Sequence, residues 1–335
     1  MRSVSLHLAV AFALICTLVL RLDCEGQNNV ARQPTFVRQF SSAQDVKRDH
    51  PILDKALDIA AGRKEQAAST DVLKSPVAVA TDSSKRIYVV DAGSPSIHVF
   101  DFGRGKYLLL SSSARMNSPQ SITADRDGNV YVTDGDSRSV LVFDARGKFS
   151  HELMRSHRRE SYFEEPRGIA IHNGSGRIYV CDTRRHMVII LSRQGKVLGR
   201  IGTRGGGKGA GEFANPTQVA VSGDSVYVLD PANLRVDILD IQGRFQRQIT
   251  VADASERSGL AVDASGNLYL SDSNLGQIHV LDPQGHWIYK FGNTGEKEGQ
   301  FNRPSGLWIQ SGCLFVADTN NRRVQEFRID GNRCE

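Results

Sequence analysis

The sequence predicts an all-β fold, a six-bladed β-propeller whose blades are four-stranded antiparallel sheets, because one short phrase recurs six times. Each copy is an apolar strand that ends in aspartate, as in Arg-Ile-Tyr-Val-Val-Asp at Arg86–Asp91. The copies recur every 42 to 48 residues, which is the period of a propeller blade. The closing aspartates are Asp91, Asp134, Asp182, Asp230, Asp272 and Asp318.

Residues 119–153 illustrate the strands of one blade. The predicted strands begin at Pro119, Val130, Val140 and Phe149. Between the first two lies Asp-Arg-Asp-Gly-Asn, in which Asp-Gly and Gly-Asn tolerate the positive φ of a tight hairpin turn. Four such strands form a twisted sheet that packs its faces on the neighbouring blades.

The last blade lacks a fourth strand at its C-terminal end, since only Asn-Arg-Cys-Glu follows Gly331. Leu57–Gly62 precedes Pro76 of the first blade much as Ile288–Gly292 precedes Pro304 of the last. We therefore expect Leu57–Gly62 to complete the last blade. An N-terminal strand in that position closes the ring and removes exposed sheet edges.

The first 26 residues are expected to be a secretory signal peptide. Arg2 precedes the largely apolar stretch Leu6–Leu20, which is shorter than the ~20 residues of a membrane span. Cys24 and Gly26 are small residues before a cleavage point at Gln27. The protein should then be secreted or periplasmic. An uncleaved anchor, which would hold it at a membrane, and lipidation at Cys24 are the alternatives.

Residues 27–55 are polar without sustained periodicity and are interpreted as a tether, and residues 56–335 as the propeller. The chain has 42 Lys and Arg against 37 Asp and Glu, a net charge of +5. Spread over a domain of this size, that charge does not by itself indicate a nucleic-acid partner. A secretory leader also separates the protein from nucleic acid, so none is expected.

The motifs of catalysis and metal binding are incomplete. Gly202–Gly209 resembles a phosphate-binding loop, but glycine replaces the Ser or Thr that should follow Lys208, and no helix is predicted after it. His151-Glu-Leu-Met-Arg155 has arginine where a zinc site needs its second histidine. We predict no catalytic residue, no metal and no cofactor.

The closing aspartates are predicted to be structural, because the same residue ends the second strand of every blade. Their carboxylates can accept backbone N–H groups of the following loop. In blades 4 and 6 an arginine five residues further on, Arg235 or Arg323, could add an ion pair.

Basic residues gather on one end of the propeller. The loops between the second and third strands share this end with the connectors between blades, and we call it the loop face. Arginine forks suit carboxylate, sulfate or phosphate groups, so the face predicts a protein or anionic ligand; a merely solvated surface is the alternative. The basic residues are Arg155, Arg158, Arg159, Arg167, Arg184, Arg185, Arg204 and Lys208.

A family resemblance supports the fold. Phe301-Asn-Arg-Pro-Ser-Gly-Leu, followed by Phe315-Val-Ala-Asp-Thr-Asn-Asn-Arg-Arg-Val-Gln-Glu-Phe, resembles an NHL repeat. Weaker copies occupy the other blades, so the resemblance covers about residues 55–335. It implies a propeller but no particular activity, because NHL propellers host very different functions. Some of them bind RNA on this face.

Enzymes with the same repeats offer a comparison. In peptidylglycine amidating lyases, histidines directly after the proline that opens a blade help to bind a zinc ion in the channel. None of the corresponding residues here is histidine. They are Val77, Gln120, Arg167, Thr217, Ser258 and Ser305.

The sequence therefore predicts a monomeric, non-catalytic, extracytoplasmic propeller that binds or scaffolds a partner through its loop face. The alternative is an enzyme, a lyase, lactonase or hydrolase, with its site at the mouth of the central channel.

A disulfide is predicted between Cys313 and Cys334. Cys313 starts the second strand of blade 6 and Cys334 lies just past the third, so both fall at one end of that blade. Cys181 should stay buried and reduced. Peptide mapping without reductant should find Cys313 and Cys334 in one linked pair, provided that their Cα atoms lie within ~7 Å. Recovery of both as free thiols would contradict the pairing.

Overall fold

The computed structural model describes residues 33–46, 72–110, 116–153, 162–251 and 259–329. They form six four-stranded antiparallel sheets, and the first strands of successive sheets contact one another around a closed ring. The predicted six-bladed propeller is confirmed. No helix within these ranges has the length and apolar character needed to cross a membrane.

The strands follow one another in chain order, blade by blade. Blades 1 and 2 contain β2 (Pro76–Thr81), β3 (Ile87–Asp91), β4 (Ser96–Asp101), β5 (Lys106–Leu110), β6 (Pro119–Ala124), β7 (Val130–Asp134), β8 (Ser139–Phe143) and β9 (Phe149–Leu153). Blades 3 and 4 contain β10 (Pro166–His172), β11 (Arg177–Asp182), β12 (Met187–Leu191), β13 (Val197–Gly202), β14 (Gln218–Ser222), β15 (Ser225–Asp230), β16 (Arg235–Asp240) and β17 (Phe245–Thr250).

Blade 5 contains β18 (Leu260–Val262), β19 (Leu268–Asp272), β20 (Gln277–Leu281) and β21 (Trp287–Phe291). Blade 6 contains β22 (Pro304–Gln310), β23 (Cys313–Asp318), β24 (Arg323–Arg328) and β1 (Thr35–Phe40). Three short 3-10 turns complete the secondary structure of the described ranges, at Ala43–Val46, Thr183–Arg185 and Pro231–Asn233.

Apolar side chains fill the spaces between blades, and glycines let the innermost strands approach each other. Ile122 and Leu141 of blade 2 belong to the same buried cluster as Tyr88 of blade 1. A Cβ added at Gly306 of β22 would lie 2.5 Å from the carbonyl oxygen of Val77 in blade 1. Backbone contact this close excludes any side chain at that position.

The ring is closed by an N-terminal strand, as predicted, but that strand is not Leu57–Gly62. β1 pairs antiparallel with β24 and supplies the fourth strand of blade 6. Leu57–Gly62 lies outside the described residues, and the position predicted for it is already taken. Residues 27–55, interpreted as a tether, therefore contain a strand of the propeller.

β1 is held by packing as well as by backbone hydrogen bonds. The ring centroids of Phe40 and Phe100 in blade 1 are 4.8 Å apart, and Phe40 is buried. The Arg38 guanidinium lies 3.8 Å from the centroid of the Phe102 ring, and its Nε is 2.5 Å from a carboxylate oxygen of Glu326. β1 thus joins the last blade to the first.

All six closing aspartates accept backbone N–H groups, so their predicted structural role is confirmed. We call this arrangement the aspartate clamp. The Asp134 carboxylate accepts N–H of Asn117 and Ser118 from the connector, at 2.9 Å each, and of Ser137 from the next loop, at 2.8 Å. The clamp therefore fixes a connector and a loop of the loop face together. Asp91 likewise accepts N–H groups from both segments. Asp182, Asp230 and Asp318 accept N–H groups of the connector, and Asp272 accepts N–H groups of the following loop.

The predicted ion pair exists in blade 6 and not in blade 4. Arg323 Nε donates to Asp318 at 2.8 Å. Arg235 Nε instead lies 3.0 Å from the carboxylate of Asp237, a second acidic residue close to Arg235. The other guanidinium nitrogens of Arg235 donate to three carbonyl oxygens of the glycine-rich connector, those of Lys208, Gly209 and Glu212.

Asp237 is a buried carboxylate whose position holds a neutral amide in blade 6. There, Gln325 donates to the carbonyl of Gln300 at 2.7 Å and accepts the N–H of Gly299 at 2.9 Å. Apart from the ion pair with Arg235, Asp237 accepts no hydrogen bond from the described residues. Burial raises the pKa of Asp237 to about 6, although Arg235 acts in the opposite direction.

The cysteines agree with the prediction as far as they are described. Cys181 is a buried, free thiol, and burial raises its pKa. Cys313 is disulfide-bonded. Cys334 lies outside the described residues, so its pairing with Cys313 stays a prediction.

Removal of β1 should destabilise the propeller. A chain that starts at Ser41 loses the strand, whereas a chain that starts at Gln33 retains it. Loss of the buried Phe40 alone should lower the free energy of unfolding by about 3–5 kcal/mol. Urea unfolding of the two chains should therefore give a clearly lower midpoint for the Ser41 start. Equal midpoints would show that β1 does not hold the ring closed.

Asp237→Asn should change how stability depends on pH. A folded pKa of about 6, above the ordinary value of 3.8, means that ionised Asp237 destabilises the fold above pH 6. This penalty is relieved as the pH falls from 6 towards 3.8. As the pH rises from 4.5 to 7.5, the free energy of unfolding of Asp237→Asn should therefore increase by about 2 kcal/mol relative to that of wild type. Urea unfolding at each pH measures this difference.

Asp240→Asn is the matched control. Hydrogen bonds from the backbone and side chain of Arg244 lower the pKa of Asp240, so this carboxylate stabilises the fold at neutral pH. Over the same pH range, the free energy of unfolding of Asp240→Asn should decrease relative to that of wild type. Parallel pH profiles for wild type and Asp237→Asn would refute the assignment.

Candidate functional site

The loop face of blade 3 is assembled by its aspartate clamp. The Asp182 carboxylate accepts N–H of Glu164 at 3.0 Å and of Glu165 at 2.9 Å, which holds the connector before β10 beside the end of β11. The 3-10 turn directly after Asp182 carries Arg184 and Arg185. Burial raises the pKa of Asp182, and the two N–H groups and Arg185 act against that shift.

Two glutamates bridge four arginines here. Glu165 lies 2.7 Å from Arg167 and 3.1 Å from Arg184, between their nitrogens and its carboxylate oxygens. Glu164 lies 3.1 Å from Arg185 and 3.7 Å from Arg204. We call these six residues the arginine cluster.

The arginine cluster retains a positive excess. Four guanidinium groups share two bridging carboxylates, while the buried Asp182 lies 3.4 Å from Arg185. The side chains of Arg184 and Arg204 are 69% and 82% exposed. These two guanidinium groups therefore face solvent, and each is paired with one carboxylate on its protein side.

The structure brings together four of the eight predicted basic residues. Lys208 is exposed on the neighbouring connector, and its carbonyl accepts a hydrogen bond from Arg235. Arg155, Arg158 and Arg159 lie outside the described residues. The sequence did not reveal the bridging by Glu164 and Glu165, because charge counting gives no pairing. Their position beside a clamped aspartate is the signal that could have suggested it.

The central channel contains a cavity of about 300 Å³ between the first strands of the blades. His98 and His279 lie inside blades, on third strands; His98 accepts or donates a hydrogen bond with Tyr107 at 2.8 Å. Within the described ranges, no group of three or more His, Cys, Asp or Glu side chains is placed to hold a metal ion.

The end of the channel away from the loop face carries a second set of side chains that the sequence did not single out. We call this end, with its hairpin turns between strands one and two and between strands three and four, the turn face. Ser83 donates to the carbonyl of Arg126 at 3.1 Å, and Arg126 N–H donates to Asn173 at 3.0 Å. Trp308 Nε1 donates to Thr81 at 2.9 Å. These residues come from four separate parts of the chain, so no local motif unites them.

Comparison with known proteins supports the fold. A family model described as a 6-bladed beta-propeller matches residues 159–255. The protein brain tumor of Drosophila melanogaster is 27% identical over 136 residues, which cover 40% of this chain and 13% of that protein. The matched part thus spans about one eighth of the length of this curated relative.

Solved structures of both an enzyme and a binding protein are similar. A gluconolactonase from Xanthomonas campestris aligns with a TM-score of 0.59 at 15% identity, covering 77% of this chain and 86% of that chain. An auxiliary nutrient binding protein from Bacteroides thetaiotaomicron aligns with a TM-score of 0.57 at 17% identity, covering 76% of this chain and 69% of that chain. At these identities the likeness shows the fold alone. Together, the six blades, the family model and these neighbours make the chain a six-bladed β-propeller.

Proposed function

We propose that the protein is a non-catalytic, extracytoplasmic binding or scaffold propeller that recognises a protein or anionic ligand through its loop face. The observation that carries this proposal is the arginine cluster, in which four guanidinium groups share two bridging carboxylates. The expected secretory leader supplies the extracytoplasmic location, and we take the propeller to act as a monomer.

The cluster is suited to an anionic group because its charge is exposed and its geometry is fixed. Arg184 uses its Nε to reach Glu165, and within the described part of the chain its two terminal nitrogens make no hydrogen bond. A planar fork held at one edge can offer those nitrogens to carboxylate, sulfate or phosphate oxygens. Its fixed position reduces the ordering cost of binding.

The backbone beneath the cluster is also restrained. Asp182 clamps the connector that carries Glu164 and Glu165, and Thr183 Oγ1 donates to the carbonyl of Pro216 in blade 4 at 2.7 Å. The residues that would contact a partner therefore stand on two blades joined by hydrogen bonds. A rigid support of this kind favours recognition of a preformed surface.

A retention experiment tests the proposal. The double variant Arg184→Gln, Arg204→Gln removes the two most exposed charges of the cluster. It should leave an immobilised sulfated polysaccharide at a distinctly lower salt concentration than wild type. Exposed charges are screened over ~8 Å at physiological ionic strength, so retention should weaken steadily as salt is added.

The control is the double variant Arg146→Gln, Arg244→Gln on the turn face. It removes the same charge, and Arg244 resembles Arg184 in being 77% exposed and paired with one carboxylate, Asp240, at 2.6 Å. The control should elute close to wild type. Equal losses for both doubles would mean that retention reflects net charge alone. Substrate turnover that disappears with a chelator would favour an enzyme, as the gluconolactonase neighbour suggests.

A further inference from the structure

We propose that the half of the central channel that opens on the turn face binds a small aliphatic carboxylate. The carbon chain would lie between the first strands, and the carboxylate would lie at the guanidinium of Arg126. This site is separate from the arginine cluster, which lies at the opposite end of the blades, and it does not depend on the function proposed for that cluster.

The walls of the cavity present both polar and apolar surface, and aliphatic side chains are among the residues that line it. Its volume is about 300 Å³, at the lower end of the range for small-molecule pockets. It has room for about ten water-sized groups, which is the number of non-hydrogen atoms in octanoate. All six blades contribute a first strand to the lining. The larger apolar residues include Ile122, Ile169, Val219, Leu260, Leu307 and Ile309.

The cavity narrows towards the loop face. A Cβ at Gly168 would lie 2.7 Å from Cα of Gln218 in the next blade, and one at Gly259 would lie 2.1 Å from the carbonyl oxygen of Ser305. Because the first strands approach one another this closely near their N-terminal ends, the channel between them has the least space at the loop face. The wider end, and so the entrance for a ligand, is at the turn face.

The entrance carries a positive charge without a matching carboxylate. Arg126 lines the cavity and is exposed, and no carboxylate of the described residues lies within 4.0 Å of its guanidinium. Of the acidic residues nearby, Asp82 lies 2.7 Å from Arg86, and Asp125 and Asp127 lie 3.8 and 2.8 Å from the same nitrogen of Arg193. Arg126 is thus the guanidinium at the entrance that could receive an anion.

The backbone of Arg126 is fixed on both sides. Its carbonyl accepts a hydrogen bond from Ser83, and its N–H donates to Asn173.

Trp308 provides a reporter for occupancy, because it lines the cavity. The only other tryptophan, Trp287, lies exposed on β21. In a full-length Trp287→Phe protein, titration with sodium octanoate should change the fluorescence of Trp308 in a saturable way. Octanol, which lacks the charge, should bind more weakly, and acetate, which lacks the chain, should give no response.

Two variants locate the binding site. Arg126→Gln should weaken octanoate binding about tenfold, the usual effect of losing a charged hydrogen bond. Arg146→Gln, on an outer turn of the same blade, should leave the affinity unchanged. Ala220→Met fills the cavity from β14 and should abolish the response in protein that melts as the parent does.

The outcomes separate the parts of the proposal. No saturable response to octanoate would overturn the site. Equal affinities of Arg126→Gln and Arg146→Gln, or octanol binding as tightly as octanoate, would overturn the assignment of the carboxylate. Undiminished binding by folded Ala220→Met would place the ligand outside the channel. If Ala220→Met fails to fold, the comparison of the two arginine variants still decides.

Discussion

The aspartate clamp is the interaction on which the loop face depends. A carboxylate at the end of the second strand accepts N–H groups from the connector that enters its own blade and from the loop that follows it. Burial alone would raise the pKa of such a group, yet the pKa of Asp91 is lowered to about 2, because the nearby imidazole of His98, 3.6 Å away, and hydrogen bonds from three backbone N–H groups outweigh burial. In blade 1 the bonds to the ionised form thus outweigh its desolvation, whereas in blade 3 burial prevails and raises the pKa of Asp182. In blades 1 and 2 one carboxylate holds the backbone of both segments.

The structural role of the closing aspartates could be predicted from the repeat, since a residue that recurs in every blade is more easily explained by a structural role than by a single site. The predictions that proved wrong concern positions where the blades differ. Spacing from aspartate suggested the same ion pair for Arg235 as for Arg323, but blade 4 has Asp237 where blade 6 has Gln325. A second carboxylate competes for the guanidinium, and spacing alone gives no distance between them.

The prediction of the closing strand is wrong for a related reason. Spacing from Pro76 favours Leu57–Gly62 only if the connector lengths of the other blades also apply before blade 1. β1 and β24 lie near opposite ends of the sequence, so the spacing between blades does not predict their pairing. The contacts of side chains such as Phe40 and Arg38 determine it instead. The candidate sites divide in the same way. The arginines of the loop face could be predicted from residue type and blade topology. The bridging by Glu164 and Glu165 and the residues at the channel entrance could be identified only in the folded structure.

The two ends of the propeller present different groups to a ligand, although neutral hydrogen bonds join blades at both ends. At the turn face these bonds run from Ser83 to the Arg126 carbonyl and from Trp308 to Thr81, and Arg193 adds ion pairs between blades 2 and 3. At the loop face Thr183 donates to the Pro216 carbonyl of the next blade. The loop face differs in the carboxylates of its clamps and of its arginine cluster. Its exposed ion pairs compete with any anionic partner for the same guanidinium groups, so that end favours a partner able to displace or share Glu164 and Glu165. A small ligand that cannot displace Glu164 or Glu165 gains nothing from that exchange, and the channel is the enclosed surface that suits it.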